Sequence, residues 1–93
     1  MDRLHYELLC KKVWEIFPFV MFDYDKHSLA GNDVYVTLIS AIWAYKGKDY
    51  KSRETIHSDM FDLVADKDAV VMASYRKIID AILESIEEVN NEN

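Results

Sequence analysis

A chain with only two glycines and one proline in 93 residues cannot reverse direction often. All-β sandwiches and barrels need a turn roughly every 8–12 residues, and their turns rely on Gly, Pro, Asn and Asp for backbone angles that other residues resist. This scarcity predicts helix as the dominant element. The apolar supply is ample: 51% of the residues are hydrophobic, with six Tyr, four Phe and two Trp. Enough apolar surface can be buried to offset chain entropy, which excludes a disordered chain. The length fits one domain over residues 1–93.

Asp2 is placed to cap a first helix over about 3–17, in which Leu4, Leu8, Leu9, Val13, Ile16 and Phe17 recur at three- and four-residue steps. Pro18 ends it, because the residue before a proline is pushed out of the α region. Residues 18–24 read as a short strand or a packed loop, since Phe19 to Phe22 need cover. Gly31-Asn32 offers a turn and a helix cap. A second helix is expected over about 33–46. Val34 to Ile39 carries strand propensity, but the unbroken apolarity through Tyr45 fits a central helix buried on most sides, with Gly47 at its C-terminal stop.

Ser52 can cap a third helix over about 52–65, where Ile56, Met60, Phe61, Leu63 and Val64 share a face. The fourth, about 68–89, repeats Val71, Tyr75, Ile78, Ile82, Ile86 and Val89 at helical spacing, and residues 90–93 are expected to fray. The fold predicted is all-α, a compact four-helix domain.

A single cysteine, Cys10, forbids an internal disulfide and fits a reducing compartment. The opening Met1-Asp2-Arg3 has no apolar leader, and the longest apolar run, Phe17 to Phe22, contains Pro18. No membrane association is expected, and the compartment expected is the cytoplasm. A net charge of −6 argues against a general affinity for nucleic acid or anionic lipid.

The chemistry-bearing constellations are weak. Asp23-Tyr24-Asp25-Lys26-His27 has the acidity of a calcium loop, but Ser28 and Val34 stand where glycine and the bidentate glutamate belong. Glu54 and His57 have the Glu-x-x-His spacing of di-iron bundles without the second pair or the extra glutamates. His5, His27, His57 and Cys10 have no paired spacing for zinc. Cys10, mid-helix among leucines, reads as a small buried hydrophobe. No catalytic residue, metal or cofactor is assigned, and the expectation is a non-enzyme.

Two charge features remain. Lys46, Lys48, Lys51 and Arg53 cluster with Tyr45 and Tyr50 beside them, while residues 80–93 hold five carboxylates and no positive charge. The leading expectation is a protein–protein interaction module whose partner is another protein or a second copy. It would act as a small regulator, inhibitor or immunity-type protein of phage or mobile-element kind, occluding a partner surface. The candidate contacts are an aromatic patch, Phe19, Phe22 and Tyr24, and an acidic helix face, Asp80, Glu84, Glu87 and Glu88. An alternative is a helix-turn-helix-like DNA-binding regulator using residues 46–58, with Lys46, Lys48, Lys51 and Arg53 on phosphates. A third reading is a small assembly subunit that oligomerises through residues 17–24.

Overall fold

The computed structural model describes residues 1–28 and 35–91. The elements run α1 (Arg3–Trp14), β1 (Met21–Ser28), β2 (Tyr35–Tyr45), β3 (Lys48–His57), α2 (Ser58–Leu63) and α3 (Lys67–Asn91). The three strands form one antiparallel sheet in the order β1-β2-β3. The fold is mixed α/β, which overturns the all-α four-helix expectation.

The first and last helices stand close to where the sequence puts them. Asp2 caps α1, accepting the His5 backbone N–H at 2.9 Å and meeting the His5 ring at 2.6 Å. Burial pushes the Asp2 carboxyl upward, but these two hydrogen bonds outweigh it and hold the group below its ordinary pKa. The helix ends at Trp14, whose indole N–H donates to the Val20 carbonyl at 2.7 Å and folds the Pro18 turn back on itself. Helix α3 buries Val71, Ile78, Ile82 and Val89 and runs to Asn91. Residues 92 and 93, and the expected turn and cap at Gly31-Asn32, lie outside the described residues.

The middle of the chain is where the sequence reading fails. The expected helix at 33–46 is the central strand β2, the packed-loop option at 18–24 gives way to β1, and most of the expected helix at 52–65 is β3 followed by a six-residue α2. The physical reason is that β2 is apolar on both sides. Thr37, Ile39, Ala41 and Trp43 are buried against the helices, and Val36, Leu38 and Ile42 alternate on the far side. A strand apolar on both faces reads as a continuous apolar run and loses the period of two. Gly47 is no helix stop. With Lys46 (φ 49) and Gly47 (φ 81) both left-handed, the pair makes the two-residue reversal joining β2 to β3. Ser52 lies mid-strand rather than at a helix cap.

Every helix lies on the same face of the sheet. Leu9 and Val13 of α1, Ile39 and Ala41 of β2, Phe61 of α2 and Val71, Ile78 and Ile82 of α3 form the core. Tyr24 donates its hydroxyl to the Met1 carbonyl at 3.0 Å, and the Met1 ammonium donates to Thr37 Oγ1 at 3.2 Å. Those bonds fasten the start of α1 across β1 and β2. At the other end, Trp43 is joined to Ser85, tying β2 to the second half of α3.

Candidate protein-binding surfaces

Register assigns each sheet side chain to a face, because residues alternate along a strand. The partners Phe22↔Ala41↔Ser52 and Tyr24↔Ile39↔Glu54 lie on the helix side. The partners Asp23↔Ser40↔Arg53 and Asp25↔Leu38↔Thr55 lie on the outer side.

This alternation divides the expected aromatic patch. Phe22 points inward, edge-on to Tyr6 at 6.5 Å and Trp14 at 5.6 Å. Tyr24 also points inward, 4.6 Å from the Tyr6 ring. Only Phe19 of the three is exposed, beside Phe17 at 5.8 Å. Asp80, Glu84, Glu87 and Glu88 are all exposed on the solvent side of α3, so that acidic face is contiguous.

The basic cluster is also dispersed. Lys46 sits at the hairpin turn, 5.5 Å from the Tyr45 ring, with Nζ donating to Asn90 Oδ1 at 3.0 Å. The positive turn therefore abuts the end of the acidic helix. Lys48 opens β3, and Lys51 and Arg53 stand on its outer face. Residues 46–58 form a turn, a strand and the first residue of α2. They contain no recognition helix, so the geometry assumed by the helix-turn-helix reading is absent.

Glu54 and His57 fall on opposite faces of β3, since three residues along a strand is an odd step. The Glu-x-x-His spacing has meaning only on a helix. Among the described residues, no group of three or more His, Cys, Asp or Glu side chains could hold a metal ion. Cys10 is 2% exposed, and burial pushes its thiol up to about 11, partly opposed by a hydrogen bond with Tyr6. A thiol so placed is protonated at neutral pH and no nucleophile. No helix among the described residues is long and apolar enough to cross a membrane.

The sequence reading missed a cleft. It has a volume of about 390 Å³ and lies between β3, α2 and the first half of α3. Ile56 supplies its floor, Met60, Phe61 and Val64 one wall, and Val70, Ala73 and Ser74 the other. At the rim, Lys77 Nζ reaches Glu54 Oε2 at 3.6 Å, with the glutamate side chain 12% exposed and the lysine 71%. Such a half-exposed pair contributes about 0–1 kcal/mol and leaves the lysine able to turn to another acid. The cleft runs beside a sheet edge, because β3 pairs only with β2 and no strand among the described residues meets its other side. No sequence signal marked it, since it depends on β3 being a strand.

The outer face of the sheet is the second surface. Val36 and Leu38 are half-buried, Ser40 is 6% exposed, and Ile42 and Met21 are 36% and 70% exposed as neighbours on adjacent strands. Asp23 and Asp25 line one edge and Lys51 and Arg53 the other, all exposed. Among the described residues none covers this face. No family model, curated protein or solved structure matches the chain.

Proposed function

We propose that this chain is a non-enzymatic protein-interaction module. It takes an extended segment of a partner protein along β3, with apolar side chains seated in the cleft. The observation that carries the reading is the juxtaposition of the β3 edge, which no further strand among the described residues pairs, and an apolar cleft of about 390 Å³ beside it. Strand addition supplies main-chain hydrogen bonds, and pockets for alternate side chains supply selectivity. The cleft is largely apolar with one ion pair at its rim, the usual composition of a pocket that holds side chains. The acidic face of α3 adds steering toward a basic partner without adding much affinity. By occupying an extended segment of its target, a small module of this kind acts as a regulator or inhibitor, and its single buried thiol suits a reducing cytoplasmic setting.

The test is selection from a displayed library of random peptides against the wild-type chain. The expected outcome is a consensus with apolar residues at every second position, whose binding shifts the backbone amide resonances of residues 48–57. Ala73→Glu, which places a charge in the cleft, should abolish that binding. A helical consensus, or resonance shifts confined to other elements, would refute strand addition.

A further inference from the structure

The outer face of the sheet calls for a different occupant. An antiparallel sheet with one solvated face normally alternates polar residues outward. Here the central strand presents Val36, Leu38 and Ile42 on that side, and Met21 extends the apolar surface across β1. The charges on this face are sorted by edge. Asp23 and Asp25 stand on β1, and Lys51 and Arg53 stand on β3, with no ion pair formed by Asp23, Lys51 or Arg53 among the described residues.

We infer that two copies of this chain pack outer face to outer face about a two-fold axis parallel to β2, with Asp23 of each copy on Arg53 of the other. The symmetry follows from the register. A two-fold axis along β2 leaves every cross-strand row in place and exchanges the two edges. Row by row, the acidic edge of one copy then lies over the basic edge of the other. In the row Asp23↔Ser40↔Arg53, Asp23 faces Arg53 and Ser40 faces Ser40. In the adjoining row Met21 faces Lys51, whose ammonium lies diagonal to Asp23, while Ile42 faces Ile42. In the next row on the other side, Asp25 faces Thr55, one row from Arg53, and Leu38 faces itself.

A two-fold axis across the strands does the opposite. It sets Asp23 against Asp23 and Arg53 against Arg53, and like charges across an interface suppress the wrong arrangement. The remaining ionisable groups on the face do not alter the choice. His27 is held by Asp25 at 2.7 Å and faces His57, while Asp49 lies in a row beyond the end of β1.

The shape agrees with the charges. Ser40 lies flush at the centre, so the sheets can approach to the spacing of about 10 Å typical of face-to-face packing. Strands about 4.8 Å apart and paired over some eight residues make a face of about 14 by 27 Å, roughly 380 Å² per copy, which is below the area of a standard interface, so the dimer is a weak one held in register by its charges. The cleft opens at the β3 edge and meets this surface only at Thr55 and His57, while Asp23 and Asp25 belong to the dimer face alone and Ala73 to the cleft alone, so variants at those positions test the dimer and the peptide-binding reading separately.

Sedimentation from about 10 μM to about 1 mM tests the inference. The wild-type chain should pass from monomer to dimer in this range, and salt should weaken it. Asp23→Arg with Asp25→Arg should be monomeric, and so should Lys51→Asp with Arg53→Asp, each with the far-ultraviolet circular dichroism of the wild type. An equimolar mixture of the two should restore a dimer, because the reversed edges complement each other. Should a reversal variant not fold, Asp23→Asn with Arg53→Gln should weaken the dimer about tenfold. A wild-type chain that stays monomeric throughout overturns the inference. So does a dimer that survives the charge changes, since it would be joined through another surface, or a mixture of two folded variants that remains monomeric.

Discussion

The Trp43 indole N–H donates a 2.9 Å hydrogen bond to Ser85 Oγ, and that hydroxyl donates onward to the Ile82 carbonyl at 2.7 Å. Both side chains are 4% exposed, so neither has water as an alternative. Ser85→Ala would strand the indole N–H in the core. Leaving one buried donor unpaired costs about 1–3 kcal/mol. In a domain of this size each kcal/mol lowers Tm by roughly 4–8 °C. Urea unfolding of Ser85→Ala should show that loss, and a midpoint equal to wild type would mean the bond carries no weight.

Tyr50 shows the reverse case on the same tryptophan. Its ring stacks on Trp43 at 5.9 Å and 15°, yet its buried hydroxyl has no hydrogen-bond partner among the described residues. Tyr50→Phe keeps the stack and removes the unsatisfied oxygen, so it should stabilise the fold by about 1 kcal/mol. A destabilised Tyr50→Phe would show that the hydroxyl has a partner after all.

The hairpin offers a third measurement. A two-residue reversal with both φ angles positive suits Asn-Gly far better than Lys-Gly, since asparagine tolerates the left-handed region. Lys46→Asn should raise stability by a few tenths of a kcal/mol despite losing the exposed contact with Asn90. Gly47→Ala should lower it by about 1 kcal/mol through its φ of 81° alone, because a Cβ there meets no atom within 4 Å. Equal midpoints for the two variants would contradict the turn geometry.

Legibility in the sequence tracked the number of buried faces. Helices α1 and α3 bury one side each, so Leu9 and Val13, or Ile78 and Ile82, recur with the helical period and Asp2 can be recognised as a cap. Strand β2 buries Ile39 on one side and leaves Leu38 and Ile42 apolar on the other, which erases the alternation. Strand β3 alternates Glu54 inward with Arg53 outward, but its inner residues are polar enough to pass for a helix start. The acidic face of α3 was readable because it sits on a readable helix. The cleft and the charge-sorted sheet face were not, since both depend on cross-strand register, which no local window contains.

Alkaline titration should expose the Tyr6–Cys10 pair. Burial pushes the Tyr6 hydroxyl up to about 12 and the Cys10 thiol up to about 11. For an acid whose pKa is higher in the folded state, the native chain holds more protons than the unfolded one, and stability falls as pH rises. The thiol's stabilisation is present in full below its ordinary value of 9.0 and is lost as pH climbs to about 11. Two units correspond to on the order of 3 kcal/mol. Urea midpoints measured from pH 8 upward should fall over this window for wild type. Cys10→Ala should begin lower and decline less, and parallel curves would refute the assignment.

Two positions on α3 separate the core from the cleft. Ile78 is 1% exposed and packs in the core, so Ile78→Ala should cost about 2–5 kcal/mol through the cavity it leaves. Ala73 is exposed and lines the cleft, where there is room for a larger side chain. Ala73→Phe loses about half a kcal/mol of helix propensity. Covering part of the ring against Val70 and Ile56 returns an amount of that order or more, given about 1.5–3 kcal/mol for a fully buried phenylalanine. Its unfolding midpoint should therefore lie within about 1 kcal/mol of wild type. Binding of the selected peptides should nonetheless be lost, because the ring occupies the space their side chains need, and the outer-face dimer should be untouched. An Ala73→Phe variant that is as unstable as Ile78→Ala would mean that the cleft is closed core, and the strand-addition reading would lose its pocket.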